Sequence, residues 1–182
     1  MINNVRKTVL SILNKNNFKL LIDKVPTVEY YVQQVNIPAI SFNEVIEPSG
    51  LGVDAYFAGD RVSFETLNVT FLVDEDLQNF KEIYDWMSQI VPISNTDDYG
   101  KLTGSKKHTL GVANQSGDAL NLHSQITLVT NTNKNLPNRY FRFYDAFPIS
   151  LSGIELQSGS ETEPVTCEVQ FRFQYYDIKS SS

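Results

Sequence analysis

Apolar and polar residues alternate along residues 67–73, which is the period of a β-strand that buries one face. A helical pattern follows directly, because five apolar residues recur there at three- and four-residue spacing. Asp74 or Asp76 suits the start of this helix, and Pro92 suits its end. The pattern predicts one helix that packs on a sheet, with Trp86 at the margin of its apolar stripe. The stripe consists of Leu77, Phe80, Ile83, Tyr84 and Met87.

The most regular alternation in the chain covers residues 165–176, where one side is apolar and the other polar. We expect one strand of about a dozen residues, longer than the usual five or six. Long strands with one buried and one solvated face pack as antiparallel sheets. The fold is therefore predicted to be mainly β: an antiparallel β-sandwich or barrel with one flanking α-helix and a short N-terminal helix.

The remaining segments divide into an N-terminal arm and one domain. Apolar residues spaced along 2–13 predict an amphipathic helix, so residues 1–16 form a helical arm and residues 17–179 a single β domain. This helix packs either on its own domain or on a neighbouring subunit. Strands are predicted at 18–23, 28–37 and 122–130, and two aromatic-rich segments occupy 139–156.

Residues 42–60 break the regular pattern and predict a long apolar loop, although 44–47 could form a short strand. Long loops rich in exposed aromatic residues are uncommon in compact monomers and tend to be functional. The alternative is that Val53, Tyr56 and Phe57 fold back on the core of their own domain. A second segment, 94–118, is polar and contains several glycines, so we expect a flexible surface loop.

Composition argues against several functions. The chain has 182 residues, of which 15 are basic and 21 acidic, giving a net charge of −6. We therefore expect no affinity for nucleic acid through phosphate neutralisation. The single cysteine excludes an intramolecular disulfide and leaves no cysteine cluster for zinc. No apolar run approaches the roughly 20 residues that span a bilayer, and no signal-peptide pattern is found, so folding in the cytosol fits.

No residue pattern indicates an enzyme, a metal site or a cofactor. His108 and His123 lack a second histidine or cysteine at ligand spacing. The acidic residues 74–76 are explained by a helix start, and the acidic pair at 97–98 lacks the spaced oxygens of a calcium loop. Cys167 lies on the apolar side of a strand, where a thiol is ordinarily inert. We therefore expect no catalytic residues and no cofactor.

The segment around the predicted helix resembles a known family. The run Ala58-Gly59-Asp60-Arg61, read as a turn, precedes an alternating strand, an acidic helix start and the triplet Tyr84-Asp85-Trp86. This order is similar to that of the tail tube proteins of contractile-tailed bacteriophages. The resemblance implies a structural subunit of the inner tube, whose hexameric rings join strands of neighbouring subunits into one closed β-barrel around a channel.

The same resemblance implies the partners and location of the protein. Rings stack into a tube that contacts the tail sheath, the baseplate and the tape-measure protein, with no membrane involved. DNA passes through the lumen during ejection without specific binding. The virion tail is the implied location, with assembly in the host bacterial cytoplasm.

Two surfaces also follow from the resemblance. In this family the long loop reaches the adjacent ring, which places that contact on residues 48–57. The solvated face of the last strand is the candidate for lining the lumen, where a polar, net negative wall would let DNA pass; Arg172 on that face departs from this charge. The candidate inter-ring residues are Pro48, Gly50, Leu51, Val53, Tyr56 and Phe57, and the candidate lumen residues are Glu168, Gln170 and Gln174.

Other functions stay open from the sequence. The separate N-terminal helix and the long 94–118 segment suit a specialised tube-initiating or tube-terminating protein of the same fold. Related tubes also occur in contractile bacteriocins and injection systems. The alternative from a different class is a monomeric β-sandwich that binds glycans or a receptor through Tyr56, Phe57 and Tyr99. Rings that form with rising concentration would favour the tube, whereas a persistent monomer that binds glycans would favour the binding module.

Overall fold

The computed structural model describes residues 13–29, 31–48, 50, 52–91, 122–157, 159 and 163–180. Residues 2–12 of the helix predicted over 2–13, Pro92 at the predicted helix end, and the segment 94–118 lie outside these residues. The described secondary structure is mainly β. The strands are β1 (Phe18–Ile22), β2 (Val32–Val35), β3 (Ile40–Glu47), β4 (Ala55–Phe64), β5 (Leu67–Leu72), β6 (Ser124–Asn131), β7 (Pro137–Leu151), β8 (Thr166–Arg172) and β9 (Tyr175–Ser180), and the helices are α1 (Pro26–Glu29) and α2 (Gln78–Ile90).

Seven strands form one antiparallel sheet in which the long strand β7 belongs to two halves. The N-terminal part of β7 pairs with β6 and β9, and β6 pairs with β1; we call this half the first sheet. The C-terminal part of β7 pairs with β8, which continues through β5 to β2; we call this half the second sheet. Asp145, at a φ of 53°, lies where β7 passes from one half to the other. The predicted mainly β, antiparallel fold with a flanking helix is confirmed.

Alternate residues of β5 and β8 form the centre of the core. Leu67, Val69 and Phe71 of β5 are fully buried, as the alternation in 67–73 predicts. Their register with β8 sets Phe71 opposite Cys167 and Leu67 opposite Phe171. Each fully buried aliphatic or aromatic side chain contributes about 1.5–3 kcal/mol relative to an exposed one, so these two strands fix the second sheet.

The C-terminal run is two strands rather than the single strand predicted. β8 ends at Arg172, and β9 begins at Tyr175 and pairs with the first sheet. The Gln174 N–H donates to the Tyr144 carbonyl at 3.0 Å between the two pairings. The break occurs because the run follows β7, which changes sheets at Asp145. The alternation of residue types continues across the break, so the sequence pattern does not reveal it.

Residues 28–37 also differ from the predicted strand. The segment begins with α1, and only Val32–Val35 forms a strand. Pro26 supplies the first helical position, where its missing N–H is not needed. Val28 is fully buried, and the Glu29 carboxylate accepts a hydrogen bond from the Ile22 N–H at 2.9 Å. The predicted strand at 18–23 is confirmed as β1.

Helix α2 covers the core with a different stripe from the predicted one. Ile83 and Trp86 are 0% and 2% exposed, so Trp86 lies near the centre of the packed face rather than at its margin. Leu77 and Tyr84 are each 47% exposed and lie outside this face. The other predicted members of the stripe, Phe80 and Met87, are partly buried and pack against the core.

The rotated stripe is explained by Asn79, which is 0% exposed. Its Nδ2 donates to the Leu72 carbonyl at 2.7 Å, and its Oδ1 accepts from the Phe80 N–H at 2.8 Å. A polar residue buried through backbone hydrogen bonds does not enter an apolar pattern. The helix begins after Leu77, whose φ is 57°. Asp74 contacts the first turn, because its Oδ1 accepts a hydrogen bond from the Asn79 N–H at 3.5 Å.

Candidate functional site

A two-stranded hairpin extends from the sheets. Among the described strands, β3 and β4 pair only with each other. From here on, the arm means these two strands and not residues 1–16. The prediction of an irregular loop over 42–60 is therefore wrong, whereas the short strand considered at 44–47 lies within β3. Both faces of the arm carry apolar residues, so the alternation that identifies a half-buried strand is missing. Of the predicted inter-ring residues, Tyr56 and Phe57 lie on β4, Pro48, Gly50 and Val53 lie between the strands, and Leu51 is outside the described residues.

The run Ala58-Gly59-Asp60-Arg61 belongs to β4 and is not a turn before a strand. A bulge interrupts the pairing of β3 with β4 at Asn43, whose Oδ1 accepts a hydrogen bond from the Arg61 N–H at 2.8 Å. A Cβ at Gly59 would collide with the side chain and the carbonyl of Asn43. Glycine is therefore required by the close approach of two strands.

Each face of the arm exposes a pair of large apolar side chains. The register sets Ile46 opposite Tyr56 on one face and Val45 opposite Phe57 on the other. Their exposed fractions are 50%, 64%, 53% and 53% in that order. A two-stranded hairpin is only marginally stable alone in water, and exposed apolar patches mark interaction surfaces. The arm therefore has the properties of a docking element.

The base of the arm is fixed to the body. The Phe64 ring packs 5.7 Å from that of Phe173 and 5.5 Å from that of Tyr176. The Tyr176 hydroxyl donates to the Pro38 carbonyl at 3.4 Å, and Arg172 Nη1 donates to the Phe64 carbonyl at 3.3 Å. These contacts hold the arm at one end and leave its length exposed.

The outer face of the second sheet is polar and nearly uncharged. Glu168 is exposed and Gln170 is half-buried on this face, while Gln174 is exposed in the bend between β8 and β9. Arg172 is exposed on the same face of β8. The strand register places further polar residues beside Glu168 and Gln170 that were not predicted. The alternation of polar residues along β5 was the sequence signal that could have found some of them. Cross-strand rows on this face are Gln34, Thr70 and Glu168, and Asn68, Gln170 and Ser150.

A cationic surface lies on the outer face of the first sheet. We call Lys19, Arg142 and Lys179, all exposed, the cationic face. Lys179 Nζ lies 3.1 Å from Asp177 Oδ2, whereas Lys19 and Arg142 have no ion-pair partner among the described residues. Sequence reasoning missed this surface because its residues lie on three strands whose register is not readable from the chain. Its rows are Lys19, Val129, Tyr140 and Lys179, and Leu21, Thr127, Arg142 and Asp177.

Within the described ranges, the titratable side chains form no cluster suited to a metal ion. No group of three or more His, Cys, Asp or Glu residues there could hold a metal ion. His123 packs against the Phe147 ring at 5.4 Å, and His108 is outside the described residues. Burial raises the pKa of the Cys167 thiol, against the lowering effect of hydrogen bonds to Ser152. No described helix has the length and apolar character needed to cross a membrane.

Known structures share this fold over most of the chain. A chain from the anti-feeding prophage baseplate, symmetrised six-fold, matches with a TM-score of 0.57 at 9% identity, covering 89% of this chain and 90% of its own. A chain from the tube-terminating cap of the same particle gives 0.56 at 11% identity, covering 95% and 94%. A chain from an extended sheath-tube complex of an extracellular contractile injection system gives 0.54 at 14% identity, covering 95% of each. No curated protein matches.

These similarities show that the chain shares an antiparallel β fold with chains of contractile injection particles. The family model described as "Phage tail tube protein" matches residues 2–179. The chain belongs to the phage tail tube protein family. Its function is accordingly structural and not enzymatic, and the family implies a location in a phage tail or a related particle.

Proposed function

We propose that this chain is a subunit of a bacteriophage tail inner tube, in which hexameric rings stack into the conduit for DNA ejection. One observation carries the proposal: this member of the tail tube family has a second sheet whose surface and edges suit the wall of a ring. That sheet has a polar outer face and, among the described strands, ends in two edges, β2 and residues 147–151 of β7. Edges that pair or adjoin around a ring are protected from uncontrolled association. Ring closure would thus join the second sheets into one barrel wall.

The wall of the conduit is the outer face of the second sheet. Amide and hydroxyl groups form most of its two rows, and Glu168 and Arg172 on β8 carry opposite charges. Tight binding of duplex DNA depends on cations that displace counterions from phosphates. A wall with balanced charge offers DNA few cations to bind. The wall therefore need not carry the net negative charge of the chain, which is −6, to let DNA pass. Glu168 and Gln170 on this face, together with Gln174 in the adjoining bend, are the proposed lumen residues.

The arm makes the contact between rings. Its exposed aromatic and aliphatic residues need a partner surface, and its fixed base positions it as a projection. Pro48, Gly50, Leu51 and Val53 at the connection, with Tyr56 and Phe57 on β4, are the proposed contact residues. The tail sheath, the baseplate and the tape-measure protein are the further partners of such a tube.

A specialised ring at one end of the tube is the second candidate. It is favoured by the similarity to chains from a baseplate and from a tube-terminating cap. A main tube subunit should form long polymers alone, whereas a terminal component should stop at single rings. Particle length therefore separates the two candidates.

Negative-stain electron microscopy of the purified protein at rising concentration tests the proposal. We expect hollow rings with six-fold end views, and long tubes for a main tube subunit. A protein that stays monomeric at all concentrations would contradict the tube function.

A shortened arm tests the inter-ring role. The Glu44 and Ala58 pair is kept, and the residues between them are replaced by the two-residue turn Asn-Gly. Rings should persist and long tubes should disappear. Normal tube growth by this variant would remove the inter-ring role while leaving the ring proposal intact.

A further inference from the structure

We propose that the arm of one copy docks on the cationic face of a neighbouring copy, with ionic contacts around an apolar centre. This inference rests on the proposed function, because it requires copies that assemble. It adds the receiving surface, which lies on the first sheet and not on the second sheet that forms the conduit wall.

Charge complementarity selects this partner surface. The arm and its connection carry four carboxylates, those of Glu44, Glu47, Asp54 and Asp60, and a single cation, Arg61. The cationic face has the opposite sign, although the chain as a whole carries −6. Complementary patches of this kind steer association and fix its register.

The cationic face also offers apolar area that matches the arm. Leu21 and Tyr140 are half-buried and lie in the same rows as the cations, whereas Val129 beside Tyr140 is buried and adds no accessible area. The stems of lysine and arginine cover apolar surface while their charged ends stay in water. An arm side chain such as Tyr56 or Phe57 therefore meets an apolar floor bordered by cations.

Among the described residues, neither the apolar pairs of the arm nor two of the three cations of the cationic face find a partner. The apolar pairs are half or more exposed, and the cations Lys19 and Arg142 have no ion-pair partner among the described residues. The contacts of Phe64 with the body restrict the base of the arm. A second copy supplies the partners that the described part of the chain does not provide to either surface.

Charge reversal tests the pairing. Glu44→Lys and Glu47→Lys change opposite faces of the arm, because Glu44 shares its face with Tyr56 and Glu47 shares its face with Phe57. We expect the combined arm variant to raise the concentration for half-assembly, measured by sedimentation, about tenfold or more. Adding Lys19→Glu and Arg142→Glu should return it to within about threefold of the original. The single arm reversals then show which face docks.

Matched controls keep the result interpretable. Lys81→Glu and Asp85→Lys reverse exposed charges on α2 and should leave assembly unchanged. Circular dichroism and thermal unfolding of each variant below its assembly concentration should match the unchanged protein, because every altered side chain is exposed. If an arm variant has an altered melting curve, it is replaced by Glu44→Gln with Glu47→Gln. For the cationic face, the replacement is Lys19→Gln with Arg142→Gln.

The outcomes separate this inference from the proposed function. If the unchanged protein forms no rings, both fail. If it forms tubes and the arm reversals have no effect, or if reversal of the cationic face does not restore assembly, the docking inference fails and the tube function stands. Restoration only by the combined reversal supports the pairing.

Discussion

At the scale of single residues, Trp86 joins α2 to the sheets. Its ring packs 5.8 Å from that of Phe171, and its Nε1–H donates to the Leu122 carbonyl at 2.7 Å. Lys24 Nζ lies 5.2 Å from the centre of the Trp86 ring, and burial lowers the pKa of that lysine. The indole thus fills core volume with its only donor satisfied, which is the environment that a buried tryptophan needs.

Truncation of Trp86 should lower the free energy of unfolding much more than truncation of Tyr84. We expect Trp86→Ala to lower the free energy of unfolding by about 3–5 kcal/mol, since it leaves a cavity and an unpaired carbonyl. Tyr84→Ala removes a side chain that is 47% exposed and should change stability by about 0.5 kcal/mol or less. Urea unfolding followed by circular dichroism measures both. Equal losses in the two variants would contradict the orientation of α2.

At the scale of elements, the bulge at Asn43 determines the geometry of the arm. We expect Gly59→Ala to separate β3 from β4 near the bulge, because the added Cβ collides with Asn43. Amide exchange followed by mass spectrometry should then speed up about tenfold or more in the arm, while the urea midpoint of the body stays unchanged.

The matched control for this glycine is Gly153→Ala, whose Cβ would meet no atom within 4 Å. It should leave exchange in the arm unaltered. Unchanged protection of the arm in Gly59→Ala would show that the close approach of the two strands does not hold it together.

Elements with one buried face were predictable from the sequence. The strand β5 follows from alternation, because Leu67, Val69 and Phe71 enter the core and their neighbours do not. The existence of α2 follows from its spacing, but its rotation depends on Asn79, whose burial requires the Leu72 carbonyl of another element. Local pattern thus gives the element, and tertiary hydrogen bonds give its orientation.

Elements defined by long-range pairing were not predictable. The arm has apolar residues on both faces, so its strands resemble an irregular apolar segment until their mutual register is known. The break between β8 and β9 lies opposite the point where β7 changes sheets near Asp145, which is far from it in sequence. The cationic face likewise needs the register of β1, β6, β7 and β9. Pairing information of this kind is absent from the periodicity of one segment.

At the scale of the whole molecule, charge is segregated rather than spread evenly. The arm is acidic, the outer face of the first sheet is cationic, and the outer face of the second sheet carries Glu168 and Arg172 in balance. The net charge of −6 therefore does not describe any one surface. In the proposed assembly, the two charged surfaces attract neighbouring copies and the third face stays neutral.

The neutral outer face of the second sheet leads to a prediction about DNA inside assembled tubes. Tubes of the unchanged protein should not retain a short DNA duplex at roughly 0.05 M salt, because few phosphate charges can be neutralised. Gln34→Lys with Gln170→Lys should retain the duplex and protect it from nuclease, since these side chains lie on the outer face of the second sheet. Gln78→Lys with Ser88→Lys adds the same charge to α2, away from that face, so any DNA that it binds should remain sensitive to nuclease. Protection by the α2 variant, or digestion of the duplex in the second-sheet variant, would show that another surface lines the channel.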